Sequence, residues 1–187
     1  MSIPKKIRMS MNSNKREIRD RYNQLGEKIY DLRYREEQSK KYYVALSEIK
    51  ILENEIFLDH GCGTGLFMDI LENPIVGIDS SNNLLQGALR KLSNTEKKYL
   101  VQGDVEYLPF RSRTFSKIFS FTVIQNVEEP LEVLKEISRV SIGIKIITTL
   151  KKVYDKDSLL SLIQKSGLTV VKIIENRNSN DWIILTM

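Results

Sequence analysis

Residues 56–79 read IFLDHGCGTGLFMDILENPIVGID. The apolar opening, IFLD (56–59), reads as a buried strand that ends in an acid. Gly61, Gly63 and Gly65 then alternate with Cys62 and Thr64. Glycines at alternate positions strip Cβ atoms from a strand-to-helix turn, so the backbone can bend sharply and lie against a ligand. LFMDIL (66–71) reads as the helix behind that turn, and IVGID (75–79) as a second strand ending in a second acid, Asp79.

The loop fits a dinucleotide poorly and excludes a Walker A site. A dinucleotide loop, G-x-G-x-x-G, needs a third small residue for helix–strand packing, and counting from Gly61 that place holds Leu66. No Gly-Lys-Ser/Thr follows, so the loop is not of the Walker A type. Asp59, just ahead of the glycines, would repel a pyrophosphate and suits a ligand that carries an ammonium group.

Outward from this segment the alternation continues. Residues 82–92 place Leu84, Leu85, Ala88, Leu89 and Leu92 at helical spacing. YLVQGD (99–104) and KIFSFT (117–122) read as the third and fourth strands. Leu131, Leu134, Ile137 and Val140 mark a helix whose first turn suits Pro130. GIKIITT (143–149) is a fifth strand, and residues 157–166 form a helix closed by Gly167. TVVKII (169–174) and DWIILTM (181–187) flank the turn-rich NRNSN and read as a terminal hairpin. The pattern predicts an α/β fold: a doubly wound, mostly parallel seven-stranded sheet with helices on both faces and one antiparallel strand near an edge. Ligands of such sheets bind at the carboxyl ends of the strands, where the winding reverses.

Those strand ends carry acids in series. Asp79, followed by Ser80, can accept hydrogen bonds from both hydroxyls of a ribose. The third strand ends in Gly103-Asp104-Val105, and a carboxylate there can accept from an exocyclic amine such as that of adenine. A lone Asp at such a place is more often a cap or loop residue; three on consecutive strands around a glycine loop point to a site. Gln125 and Asn126 follow the fourth strand. An amide is no base near neutral pH but can orient an acceptor.

Composition sets the remaining bounds. The 187 residues are 41% hydrophobic and 28% charged, which favours one core and a solvated surface. No apolar run approaches the roughly 18 residues of a membrane span, and MSIPKKIRMSMN has no apolar core of a secretory signal. One cysteine and one histidine, Cys62 and His60, argue against a disulfide framework or an internal zinc site, and a cytoplasmic setting is expected. The net charge is +5, with Lys5, Lys6, Arg8, Lys15, Arg16 and Arg19 crowded at the start. Interleaved acids make that stretch read first as a solvated helix face and secondly as an arm that meets phosphate. Residues 1–54 are expected to form an N-terminal helical extension or lid, and 55–187 the core. Tyr30, Tyr34, Gln38 and Lys41 lie near one helical face and could roof the site.

LDHGCGTG, GIDSS, GDVEYLPF and FSKIFSFTVIQNVEEP, in that order over roughly residues 55–150, resemble the class I S-adenosylmethionine-dependent methyltransferases, in particular the type 11 group. The resemblance implies a Rossmann-like methyltransferase fold, S-adenosyl-L-methionine as cofactor and methyl transfer as activity. It places Gly61, Cys62, Gly63 and Gly65 under the methionine part, Asp59 near its ammonium, Asp79 and Ser80 at the ribose, Asp104 and Val105 at the adenine, and Thr122 beside the sulfonium, with Tyr34 in the roof. Asn126 and Gln125 then face the acceptor. His60 departs from the small or apolar residue usual at its place and reads as a packing variant. The Asn/Asp-Pro-Pro-Tyr of enzymes that methylate planar nitrogens is replaced here by Thr122-Val123-Ile124-Gln125-Asn126, which disfavours adenine N6 and glutamine amides. YDLRYREEQSKKY (30–42) resembles archaeal members, some of whose relatives work with a small zinc-containing activator subunit. The expected acceptor is RNA or a translation-related protein; a small metabolite, or a non-catalytic partner role, is the alternative. No membrane association is expected.

Overall fold

The computed structural model describes residues 15–175 and 179–187, with only the backbone of residues 15, 16, 21 and 25–34. Helix α1 (Lys15–Ser47) leads into β1 (Phe57–His60), α2 (Leu66–Asp69), β2 (Ile75–Asp79), α3 (Asn82–Lys91) and β3 (Lys98–Gln102). Then come β4 (Lys117–Phe121), a single 3₁₀ turn (Ile124–Asn126), α4 (Pro130–Val140), β5 (Lys145–Leu150), α5 (Lys156–Lys165), β6 (Val170–Ile174) and β7 (Asp181–Thr186).

The seven strands form one sheet in the order β3-β2-β1-β4-β5-β7-β6. β1 to β5 pair in parallel, and β7 runs antiparallel between β5 and β6. The winding reverses between β1 and β4, where Asp59 stands opposite Phe119. This is the doubly wound, mostly parallel sheet expected from the sequence, with the antiparallel strand one place in from the edge.

Side-chain alternation assigns the two faces. Phe57, Phe119, Phe121, Ile146, Ile183 and Leu185 belong to one buried cluster, together with α2, α3 and the C-terminal part of α1. Leu58, Ile118, Ile147 and Ile184 belong to the other, against α4 and α5. The central strands β1 and β4 are buried throughout, whereas β3 and β6 are only partly covered, as edge strands are.

One element departs from the expected bounds. α2 spans four residues, not six. Ile70 caps the helix with φ −90° and ψ −3°, and the chain then turns through Asn73-Pro74 into β2. The N-terminal region, expected as a helical extension, is one continuous helix, Lys15–Ser47, among the described residues. Its far end is fixed to the core by Tyr42, whose ring lies 5.1 Å from Phe67 and 4.7 Å from Phe121. Tyr30 and Tyr34 lie on α1, but their side chains fall outside the described residues, as does most of the NRNSN turn. No described helix is long and apolar enough to cross a membrane.

Candidate cofactor and acceptor site

The glycine loop turns with positive φ at all three glycines, 77° at Gly61, 52° at Gly63 and 72° at Gly65. At Gly61 a Cβ would also lie 2.4 Å from Val123 Cγ2, so the loop and the segment after β4 approach as closely as they do only because a side chain is missing.

The loop's amides are already committed. Gly61 and Cys62 N–H both donate to Ile78 O, at 2.8 and 3.0 Å. Gly63 N–H donates to Asp79 Oδ2 at 2.9 Å. A phosphate-cradling loop instead turns such amides toward its ligand. The helix behind the loop is a single turn, so its dipole adds little. The cradle is therefore not built for an anion.

Asp79 holds this corner together. Its Oδ1 accepts from Ser81 N–H at 2.8 Å while Oδ2 takes Gly63. Burial raises its pKa, and the amides of Ser81, Gly63 and Ser80 oppose that rise. A carboxylate has about four lone-pair sites, so capacity remains for two hydroxyl donors.

Asp59 contrasts sharply. It is 3% exposed, and its Oδ2 has no hydrogen-bond partner among the described residues. Burial first, and the nearby Asp79 charge second, push its carboxyl up to about 8. A buried orphan acceptor next to an acid calls for a cation. The ammonium of an amino-acid ligand fits that need.

Cys62 is buried, and its Sγ would lie 2.8 Å from a Cβ built on Gly77. Its side chain packs on β2, so only its backbone borders the loop. Burial pushes its thiol well up, making it an inert packing group. Asp104 is exposed, and its Oδ1 accepts from Glu106 N–H at 2.9 Å, which fixes the turn after β3.

His60 is fully buried and braces that same turn. Val105 O can only accept, so His60 Nε2–H donates to it at 2.9 Å. Nδ1 then accepts the Ser120 hydroxyl at 3.1 Å. Burial pushes His60 down to about 4, consistent with a neutral ring. The expected packing variant is in fact a polar brace linking β1, β4 and the Val105 turn.

The rim beyond β4 is organised by Thr122, whose φ of 64° is strained for a β-branched residue. Thr148 holds it there, taking Thr122 N–H at both its carbonyl (3.1 Å) and Oγ1 (2.9 Å). From α1, Gln38 Nε2 and Lys41 Nζ each donate to Thr122 Oγ1 at 3.3 Å. Lys41, 3% exposed, also pairs with Asp181 Oδ2 at 2.7 Å and Glu37 at 3.0 Å. Asn126 Nδ2 donates to Thr122 O at 2.9 Å and to Tyr22 Oη at 3.3 Å. Gln125 Oε1 accepts from Thr149 Oγ1 at 2.8 Å and Leu150 N–H at 3.0 Å. Across the rim, Asn23 of α1 takes the Ser81 hydroxyl at 2.7 Å. Helix α1 thus crosses the strand ends from β2 to β4.

The structure brings Asp59, the glycines, Asp79, Ser80, Asp104, Val105, Thr122, Gln125 and Asn126 to one end of the sheet. Sequence reasoning missed Tyr22, Asn23 and Asp181. An acid opening the otherwise apolar DWIILTM was the available signal for Asp181; Tyr22 and Asn23 had none.

Residues 58–142 match the family described as Methyltransferase domain. The chain is 33% identical over 162 residues to an uncharacterized protein of Methanocaldococcus jannaschii, covering 83% of this chain and 60% of that one. It is 29% identical over 133 residues to malonyl-[acyl-carrier protein] O-methyltransferase of Marinomonas, covering 68% and 48%. The chain thus spans about half of the length of these curated relatives. Among solved structures, a chain from the complex between the Haloferax volcanii Trm112 methyltransferase activator and a methyltransferase aligns with TM-score 0.79 at 16% identity, covering 91% of this chain and 96% of that one. A SAM-dependent methyltransferase from Aquifex aeolicus aligns with TM-score 0.70 at 18% identity, covering 78% and 88%.

Proposed function

We propose that the chain, whose residues 58–142 match the methyltransferase domain family, is a class I S-adenosylmethionine-dependent methyltransferase, that it methylates an acceptor entering between α1 and the end of β4, and that this acceptor is RNA or a translation-related protein. The observation that carries the cofactor assignment is the orphan Asp59 Oδ2, buried beside a loop whose amides are spent elsewhere.

When bound, S-adenosylmethionine supplies an already activated methyl on a sulfonium. The protein's task is then to hold, align and exclude water. Asp59 takes the ammonium. Asp79, steadied by the Gly63 and Ser81 amides, accepts from the ribose hydroxyls. Asp104 accepts from the adenine amine, and His60 holds the Val105 backbone against the ring. Thr122 borders the reacting centre. Asn126 has its nitrogen committed, so its Oδ1 is what remains to orient an acceptor donor. Gln125, its oxygen committed to β5, offers only its amide nitrogen. Helix α1 acts as the lid.

The charge of +5 and the basic start of the chain support a large polyanionic acceptor or its complex. The likeness to a structure solved with the Trm112 activator supports an activator subunit as partner, and the resemblance of residues 30–42 to archaeal members makes a small zinc-containing one the expected kind. The free edge of β3, with Tyr99 58% exposed, offers such a subunit a strand to extend. A second reading, a small or carrier-bound acceptor, is favoured by the malonyl-[acyl-carrier protein] and demethylmenaquinone methyltransferases among the relatives.

The test is transfer of tritiated methyl from S-adenosylmethionine to total RNA, to ribosomal protein fractions and to a small-molecule extract, with and without the activator. Label in RNA or protein is expected, with RNA retention falling steeply between about 50 and 200 mM salt. Label confined to the small-molecule extract would overturn the acceptor assignment.

A further inference from the structure

Asp59 is not the only orphan at this end of the sheet. Gln38, on α1, is 6% exposed. Its Nε2 donates to Thr122 Oγ1, yet its Oε1 is buried with no hydrogen-bond partner among the described residues. A buried amide oxygen left without a donor is costly, and native structures rarely tolerate one unless a ligand completes it.

The fold places Gln38 and Asp59 on one side. Asp59 alternates with Leu58 along β1 and so shares the face of Phe57, the face that α1 covers. Gln38 stands one helical turn before Tyr42, which packs on Phe67 and Phe121 of that same face. Gln38 is also tied to Thr122, one residue from the Val123 side chain that closes on Gly61. Gly61 in turn is two residues from Asp59. Lys41, paired with Asp181, fixes this stretch of α1 to β7, so the position of Gln38 is set from both sides.

We propose that Gln38 Oε1 and Asp59 Oδ2 are the two acceptors that read the ammonium of an adenosyl amino acid, making α1 part of the cofactor site as well as its cover. This rests on the cofactor assignment above and adds the residue that completes it. An ammonium has three N–H donors, so it can satisfy a carboxylate and an amide oxygen together. A neutral amide contributes what a third acid could not: acceptance without further charge beside Asp59 and Asp79.

The test is calorimetric binding of three ligands: S-adenosylhomocysteine, its analogue lacking only the amino group, and 5′-methylthioadenosine, which lacks the whole amino-acid part. Wild type is expected to prefer S-adenosylhomocysteine over the deaminated analogue by at least about tenfold, as charge-assisted bonds require. In Gln38→Met and Gln38→Ala, two variants of different volume, that preference shrinks by about three- to tenfold. Binding of methylthioadenosine stays within about twofold of wild type. Gln38→Glu, which keeps an acceptor at the same reach, retains the preference. An unchanged preference in a folded Met or Ala variant, or an equal loss for methylthioadenosine, would overturn the proposal while leaving the cofactor assignment intact. Wild type binding none of the three ligands would overturn both.

Discussion

The two halves of the sheet's carboxyl rim are held together in different ways. On the β1–β2 half, Asp79 is gripped by backbone amides of Gly63 and Ser81, partners within sixteen residues. On the β4–β5 half, Thr122 is gripped by Gln38 and Lys41, more than eighty residues away, and Lys41 reaches on to Asp181. The first half is a local design in glycines and acids. The second exists only once a helix from the far end of the chain has docked. Under the proposed function, such a rim can keep its β1–β2 corner and change its β4–β5 corner by altering one helix.

Substitutions can break each half separately. The largest effect is expected at Gly61. A valine there meets both a positive φ and Val123, costing about 3 kcal/mol from strain and overpacking combined. Cofactor affinity should fall at least about a hundredfold, read by calorimetry. Lys41→Met strikes the other half. It leaves the buried Asp181 carboxylate without its cation and should lower stability by about 3 kcal/mol in denaturant unfolding. The double variant Lys41→Met/Asp181→Leu should recover most of that loss. No recovery would mean that the pair does not tie α1 to the sheet.

A smaller effect sharpens the contrast through pH. The Asp59 carboxyl is raised from 3.8 to about 8 in the folded chain. Between those values the folded state holds a proton that the unfolded state has released. The Asp59 contribution to the stability of the cofactor-free chain, read as the difference between wild type and Asp59→Asn, should therefore be fully present below about pH 4 and be lost as pH rises through about 8. Cofactor binding should release a proton near neutral pH, and affinity should climb from about pH 6 to 7.5, where the ligand's amine is still charged. Asp59→Asn should flatten both profiles, and an unchanged climb would remove Asp59 from the ammonium site.

The smallest effect is spectroscopic. His60 is the one histidine in the chain, so histidine labelled with ¹⁵N gives one ring to follow. It should show the Nε2–H tautomer and no titration between about pH 5 and 8, since burial holds it down to about 4. Titration near the ordinary value would mean that the brace between Ser120 and Val105 is open.

The same contrast explains what could be read in advance. β2 was legible to the residue, 75–79, because a short apolar run bounded by Pro74 and an acid has few other readings. The grouping of Asp59, Asp79 and Asp104 at one end of the sheet was legible because each ends a strand and the strands follow one another in the chain. α2 was overread: LFMDIL keeps an apolar pattern past Asp69, but Ile70 faces solvent as the chain turns down to β2. His60 was read as packing because a side chain bonded at both ring nitrogens to β4 and to the Val105 turn has no local signature. Gln38 and Lys41 could be placed on a helical face from their spacing. Their joint partner Thr122 could not, because hydrogen bonds across eighty residues leave no periodicity.

The most direct measurement is calorimetric titration of the chain with S-adenosylmethionine, S-adenosylhomocysteine and NAD, in wild type and Asp79→Ala. Both adenosyl compounds are expected to bind and NAD is not, with a loss of at least about tenfold in the variant. A folded wild-type chain that binds NAD, or whose adenosyl affinity is indifferent to Asp79, would contradict the cofactor assignment.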